Sequence, residues 1–292
     1  MSKLKDALES KKFAVTAEVA PPKGIDFSHQ LHCAEALVGR VEACNVTDFQ
    51  SASLKAASLG MCIKLQQMGM EPVFQITGRD RSRLAIQGDM LAASAFGIEN
   101  ILTLTGDHTY VGDNRDSKPV FDLDSVGILQ AGEILMGGND MGGNALSGDA
   151  PYYFMGSSAT PEYEPLDLHL MKMRKKIDAG AKFFQTQGVY SAEPFIRFMD
   201  QAEKYGAYIL AGIIPLKSAG AARYMNKNVP GINVPDDIIA RMKEAENPVA
   251  EGIQIAAEMI RELKDKQLCH GVHIMAIGAE ENVPLILDAA GL

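Results

Sequence analysis

No run of about 18 apolar residues, the length a membrane-crossing helix needs, occurs in this chain of 292 residues. Its opening segment, MSKLKDALESKKF, is charged and helix-like and lacks the apolar centre of a secretory leader. The expectation is a cytoplasmic protein. Basic charge is also scarce, with 28 Lys and Arg against 37 Asp and Glu and a formal net charge of −9. Such a surface has no footprint for a nucleic-acid backbone or an anionic membrane, so an anionic ligand must be held by a local pocket.

Cysteine is sparse. Cys33, Cys44, Cys62 and Cys269 form no CxxC, which argues against a zinc ribbon or a vicinal redox pair and leaves buried free thiols as the expectation. His29 and His32, like His270 and His273, lie three apart; each pair offers two donors where zinc needs three or four, and no metal is assigned. No tract rich in Pro, Ser or Gly marks a disordered tail, and 47% hydrophobic with 22% charged residues is ordinary for a folded domain. No GxGxxG follows a strand-like run. The nearest glycine cluster, GGNDMGGNALSGD from Gly137 to Asp149, precedes such a run and reads as a long loop, which disfavours a doubly wound dinucleotide fold.

What the chain does have is repetition. Eight short β-rich runs alternate with segments of helical apolar spacing: Phe13 to Ala20, Ala43 to Asp48, Pro72 to Thr77, Asn100 to Thr105, Tyr152 to Ser157, Lys182 to Gln187, Ala207 to Ile214 and Gly271 to Ala276. Several are apolar almost throughout, as strands covered on both faces should be. Eight alternations in this length predict an α/β protein that is a single (β/α)8 TIM barrel over residues 1–292, preceded by a short N-terminal helix.

In such a barrel the chemistry sits at the C-terminal ends of the strands, so the polar residues there are the candidates: Glu18, Thr47, Asp48, Gln75, Thr77, Thr105, Asp107 and Gln187. Glu18, inside FAVTAEVAPP, should be partly withdrawn from water, the setting of a general acid, although an ion pair with a nearby Lys would also explain it. Asp107 follows a tight turn where a carboxylate could face a cofactor or simply cap a loop. Gln187 offers both donor and acceptor to a heterocycle edge, or is an ordinary strand-end Gln. Lys176, in MRKKIDAG, could pair with a phosphate but reads first as a solvated helix end that complements the dipole.

TAEVAPPKG, ITGRDRSRLAIQGDMLAASAFGIENILTLTGD, VFDLDSVGIL, IDAGAKFFQTQGVY, AGIIPLKS and GVHIMAI stand in an order and barrel phase that together resemble the methylenetetrahydrofolate reductase family over essentially the whole chain. The resemblance implies a flavin, FAD by family habit or FMN, whose N5 delivers a hydride to 5,10-methylenetetrahydrofolate and yields 5-methyltetrahydrofolate. It implies catalytic roles for Glu18, as the acid that protonates N10, and for Asp107, near the flavin ring and the pterin, with Gln187 contacting folate. Thr47, Thr105, Gly106, Asp107, Asp122 and Lys176 match flavin-contacting positions, and Gln75 stands at another where many members carry His. Two departures qualify it. Ala219 stands where relatives carry an aromatic that stacks on NAD(P)H or folate, so a partner redox subunit, within an oligomer or larger complex, is the expected electron donor, with NAD(P)H as the alternative. The glycine-bearing loop from Gly137 to Asp149 suggests that the adenosine half of an FAD is handled differently or is absent. A flavin-free pterin methyltransferase barrel and a non-catalytic redox-complex subunit are the rival readings of the same strand ends.

Overall fold

The computed structural model describes residues 2–292, in which eight parallel strands are hydrogen-bonded in chain order into a closed barrel. α1 (Lys3–Glu9) precedes β1 (Ala14–Val19), followed by α2 (Ser28–Glu35), β2 (Ala43–Val46), α3 (Ser58–Gln67), β3 (Pro72–Thr77), α4 (Arg83–Ala95), β4 (Asn100–Leu104) and α5 (Ser125–Met136). The second half runs β5 (Phe154–Ala159), α6 (Leu166–Asp178), β6 (Phe183–Gly188), α7 (Ala192–Ala202), β7 (Tyr208–Ile213), α8 (Ala219–Asn228), α9 (Asp236–Glu244), α10 (Pro248–Asp265), β8 (Gly271–Ile274) and α11 (Val283–Ala290). Each of the eight expected runs overlaps one strand. β5 starts later than its run, because the ladder opens where the Phe154 amide meets the Glu99 carbonyl. Between β7 and β8 the crossover holds three helices rather than one.

The strands are apolar on both faces because both are covered. Val15, Val46, Phe74, Ile101, Met155, Phe184, Ile209 and Val272 point outward into one core with helix residues such as Met61, Leu129, Phe195 and Ile260. Inward residues from the N-terminal ends of β1 to β7, among them Val73, Leu102, Phe154, Phe183 and Leu210, form a second cluster with Leu4, Ala7 and Leu8 of α1. α1 therefore plugs the lower end of the barrel. Its exposed first-turn amides are satisfied by the chain beneath it: the Lys3 and Leu4 amides donate to the Glu71 carboxylate at 2.7 and 3.1 Å, and the Lys5 amide donates to the Ser2 hydroxyl at 3.0 Å. The four cysteines are free thiols; Cys33, Cys44 and Cys62 are buried, and Cys269 is half-buried. Among the described residues, no helix is long and apolar enough to cross a membrane.

The lower plug depends on one missing methyl. Phe154 and Phe183 stack with ring centroids 5.1 Å apart, and a Cβ on Gly156 would stand 2.5 Å from the Phe183 ring. Gly156→Ala should therefore cost about 1–3 kcal/mol, the scale of overpacking a filled core, and Phe183→Leu in the same chain should recover part of it. Equilibrium denaturation checks this, and a Gly156→Ala chain as stable as its parent would contradict the packing.

Candidate active site

Above the apolar plug the barrel interior turns polar. Asn45 and Gln185 exchange amide hydrogen bonds of 2.6 and 3.0 Å, and Gln185 Nε2 also donates to the Thr16 hydroxyl at 3.2 Å. That hydroxyl lies 2.9 Å from Nδ1 of His273. All four side chains are buried, and pairing them satisfies amides that would otherwise be stranded away from water. The far ring nitrogen of His273 is 3.8 Å from the Glu18 carboxylate. Glu18 is 6% exposed, and no described residue donates a hydrogen bond to it. The Lys ion pair that its sequence allowed is not formed.

A cavity of about 400 Å³ opens at the C-terminal ends of the strands, within the range of roughly 300–1,000 Å³ typical of small-molecule sites. Gln75, Thr105, Gly106, Asp107, Lys176 and Gln187, all anticipated from sequence, line it together. A larger groove of about 860 Å³ lies at the opposite end, beside Phe13 and His270. Those residues precede β1 and β8, at the end where barrels carry stability rather than chemistry.

Local irregularities aim the lining residues. The register of β6 against β7 shifts between Gln185 and Gly188, where the Thr186 hydroxyl accepts from the Gly212 amide and donates to the Gln187 carbonyl. A bulge of this kind redirects a side chain, and Gln187 turns into the mouth. Gly106 takes φ +89°, and a Cβ there would crowd Arg79 and Thr77, so its backbone can lie close to a ligand. The Thr105 hydroxyl accepts from the Ser125 amide at 3.2 Å, joining the end of β4 to the start of α5.

Lys176 corrects the reading of a solvated helix end. It is half-buried and lines the mouth, with Nζ donating to the Ser158 carbonyl at 2.7 Å. Burial, and then the neighbouring charge of Lys172, lower its pKa to about 8. Thr47 is 2% exposed, and its hydroxyl has no hydrogen-bond partner. Asp122 is not among the cavity's lining residues; its carboxylate is taken up by the Arg83 guanidinium and backbone amide at the start of α4. The glycine-bearing loop contributes nothing to the lining and instead rests on α4, where the Met141 amide donates to the Gln87 side chain. Ala219 opens α8 as a buried methyl in a small apolar cluster with Tyr190 and Leu216. His270 and His273 do not act as a pair: Nδ1 of His270 accepts from the Ile209 amide, while His273 faces the interior.

Two arginines that the sequence reading did not single out build the rim. Arg79, 2% exposed, donates to the carbonyls of Asp107 and Phe49 at 3.1 Å each and pairs with Asp80. It thereby fixes the loops after β4 and β2 against each other. Arg81 grips both oxygens of Asp48, which also accepts from the Thr77 amide and hydroxyl, so Asp48 is a scaffold residue. The available signal was the cationic cluster RDRSR immediately beyond the third run, next to a strand end already rich in polar groups.

The chain matches the model of the methylenetetrahydrofolate reductase family over residues 3–291. It belongs to that family. It is similar to methylenetetrahydrofolate reductase 2 of Schizosaccharomyces pombe, 25% identical over 273 residues that cover 85% of this chain and 40% of the relative. A probable methylenetetrahydrofolate reductase (NADPH) of Caenorhabditis elegans is 25% identical over 257 residues, 86% of this chain and 36% of the relative. Methylenetetrahydrofolate reductase (NADH) 1 of Arabidopsis thaliana is 24% identical across 100% of this chain and 50% of its own length. This chain thus spans half or less of these curated methylenetetrahydrofolate reductases.

The lowered pKa of Lys176 has a readable sign. An anion bound in the mouth favours the ammonium form, so binding raises the amine's pKa, and anion affinity falls as pH rises through about 8. Methyl-labelled lysine NMR on the ligand-free chain should find one amine titrating near 8 that is lost in Lys176→Met. Titration at the usual value of about 10.4 would contradict the half-buried setting.

Proposed function

We propose that this chain reduces 5,10-methylenetetrahydrofolate to 5-methyltetrahydrofolate with a flavin held at the barrel mouth. The observation that carries the reading is Glu18: a buried carboxylate near the mouth end of β1, just outside the cavity lining, with no hydrogen-bond donor among the described residues and the His273 imidazole 3.8 Å away. A carboxyl so placed is available to a substrate, and its task is to donate a proton to N10 so that the five-membered ring of the folate opens. Gln187, turned into the mouth by the β6 bulge, offers its amide to the pterin.

What supports a flavin in the same cavity is the donor set. Gly106 presents bare backbone and Lys176 places a cation at the wall, while Thr47, outside the lining at the end of β2, has a buried hydroxyl without a partner. Thr47, Gln75, Thr105, Gly106 and Lys176 would hold the cofactor, with Asp107 as the carboxylate at its ring. When bound, flavin supplies the hydride for the methylene carbon. Asp107, whose backbone is pinned by Arg79, keeps a negative charge at the mouth and disfavours an anionic reduced cofactor there.

The electron donor we infer is a partner redox protein rather than NAD(P)H bound directly, because Ala219 offers a buried methyl where an aromatic face would stack on nicotinamide. Rapid bleaching of the bound flavin by micromolar NADH or NADPH in a stopped-flow experiment would contradict that donor.

With a low-potential dye as reductant, Glu18→Gln should lose folate turnover by roughly 10²–10⁴-fold, the contribution of a positioned acid, while its flavin content stays near the parent's. A Glu18→Gln chain that keeps most of its turnover would remove Glu18 from the chemistry.

A further inference from the structure

On the outer wall, α2 carries His29 and Cys33 four residues apart, hence on one face of the helix. The 3-10 turn Glu280–Asn282 after β8 brings Glu281 against them. Nε2 of His29 is 3.8 Å from the Cys33 sulfur, and one ligating atom from each of the three residues lies within 4.8 Å of the others. A tetrahedral zinc ion with Zn–S of about 2.3 Å and Zn–N of about 2.0–2.1 Å holds sulfur and nitrogen about 3.6 Å apart. The observed separation is close to that edge.

None of the three side chains is engaged elsewhere. Among the described residues, the thiol is the one hydrogen-bond partner of the His29 ring, and no donor or cation binds the Glu281 carboxylate. Cys33 is buried, and burial, followed by the nearby charges of Glu280 and Glu281, pushes its thiol pKa up. His32, the partner suggested by sequence spacing, is not in the cluster.

We propose that His29, Cys33 and Glu281 bind one divalent, thiophilic transition-metal ion, zinc foremost, with the fourth position open to water. The soft sulfur and the imidazole select against magnesium and calcium, which take all-oxygen sites. Coordination releases the thiol proton to solvent and leaves the thiolate on the metal. The ion joins the helix after β1 to the turn after β8, across the seam where the barrel closes. α2 is only eight residues long, and at its start the Ser28 amide donates to the Asp26 carboxylate at 2.9 Å.

The test uses the untagged full chain, stripped with chelator and titrated with Co²⁺ and then Zn²⁺. The expected result is a thiolate-to-cobalt charge-transfer band that saturates at one equivalent, is displaced by zinc, and is lost in Cys33→Ser. His29→Ala changes an exposed residue and leaves the fold intact by circular dichroism; it should weaken zinc binding by roughly tenfold or more, at least the scale seen for groups that only support a ligand. Absence of the band at stoichiometric cobalt, its survival in Cys33→Ser, or unchanged zinc affinity in His29→Ala would each overturn the site.

Discussion

Closing eight parallel strands leaves an interior that side chains must fill, with every polar atom in it paired. This chain meets the constraint in layers. The lowest layer is apolar and capped from below by α1, anchored through Glu71. The next is polar and self-satisfying, from Asn45 and Gln185 through Thr16 to His273. Breaking the Asn45–Gln185 pair would strand a buried amide at a cost of about 1–3 kcal/mol. Above this floor lie Glu18, with no hydrogen-bond donor among the described residues, and Thr47, with a buried hydroxyl that has no partner. Inside the barrel, the apolar plug and the polar floor leave the C-terminal end of the strands, where the cavity opens, as the place for chemistry.

The mouth is held by charge and by strain. Phe49, Ser51 and Ala52 in the loop after β2 have positive φ, a conformation that costs non-glycine residues energy and persists only where the surroundings enforce it. Arg79 supplies the enforcement by binding the Phe49 and Asp107 carbonyls together, and Arg81 locks Asp48 beneath the same loop, with its guanidinium 5.7 Å from the centroid of the Phe49 ring. Pocket walls fixed in this way need little reorganisation when a ligand arrives.

The strands were legible because a parallel barrel writes them as short apolar runs, and the polar residues ending those runs, such as Gln75, Asp107 and Gln187, do line the mouth. Lys176 was misread because its sequence position, at the end of a charged helix, carries no record of the β5 carbonyl onto which it folds. The bulge that turns Gln187 depends on pairing with β7, and the work of Arg79 depends on loops from two other strands. The cluster of His29, Cys33 and Glu281 joins the two ends of the chain, a contact created only by barrel closure. Local pattern reveals what local physics dictates; what lies between elements distant in sequence emerges only from the fold.

The proposed reduction requires one mouth to hold flavin and folate together. An anaerobic single turnover tests it most directly: the purified chain is loaded with flavin, reduced by a low-potential dye, freed of dye, and mixed with 5,10-methylenetetrahydrofolate. The account predicts reappearance of the oxidised flavin spectrum with one 5-methyltetrahydrofolate formed per flavin reoxidised. Flavin that remains reduced in the presence of excess folate, or a folded chain that retains no flavin, would contradict it.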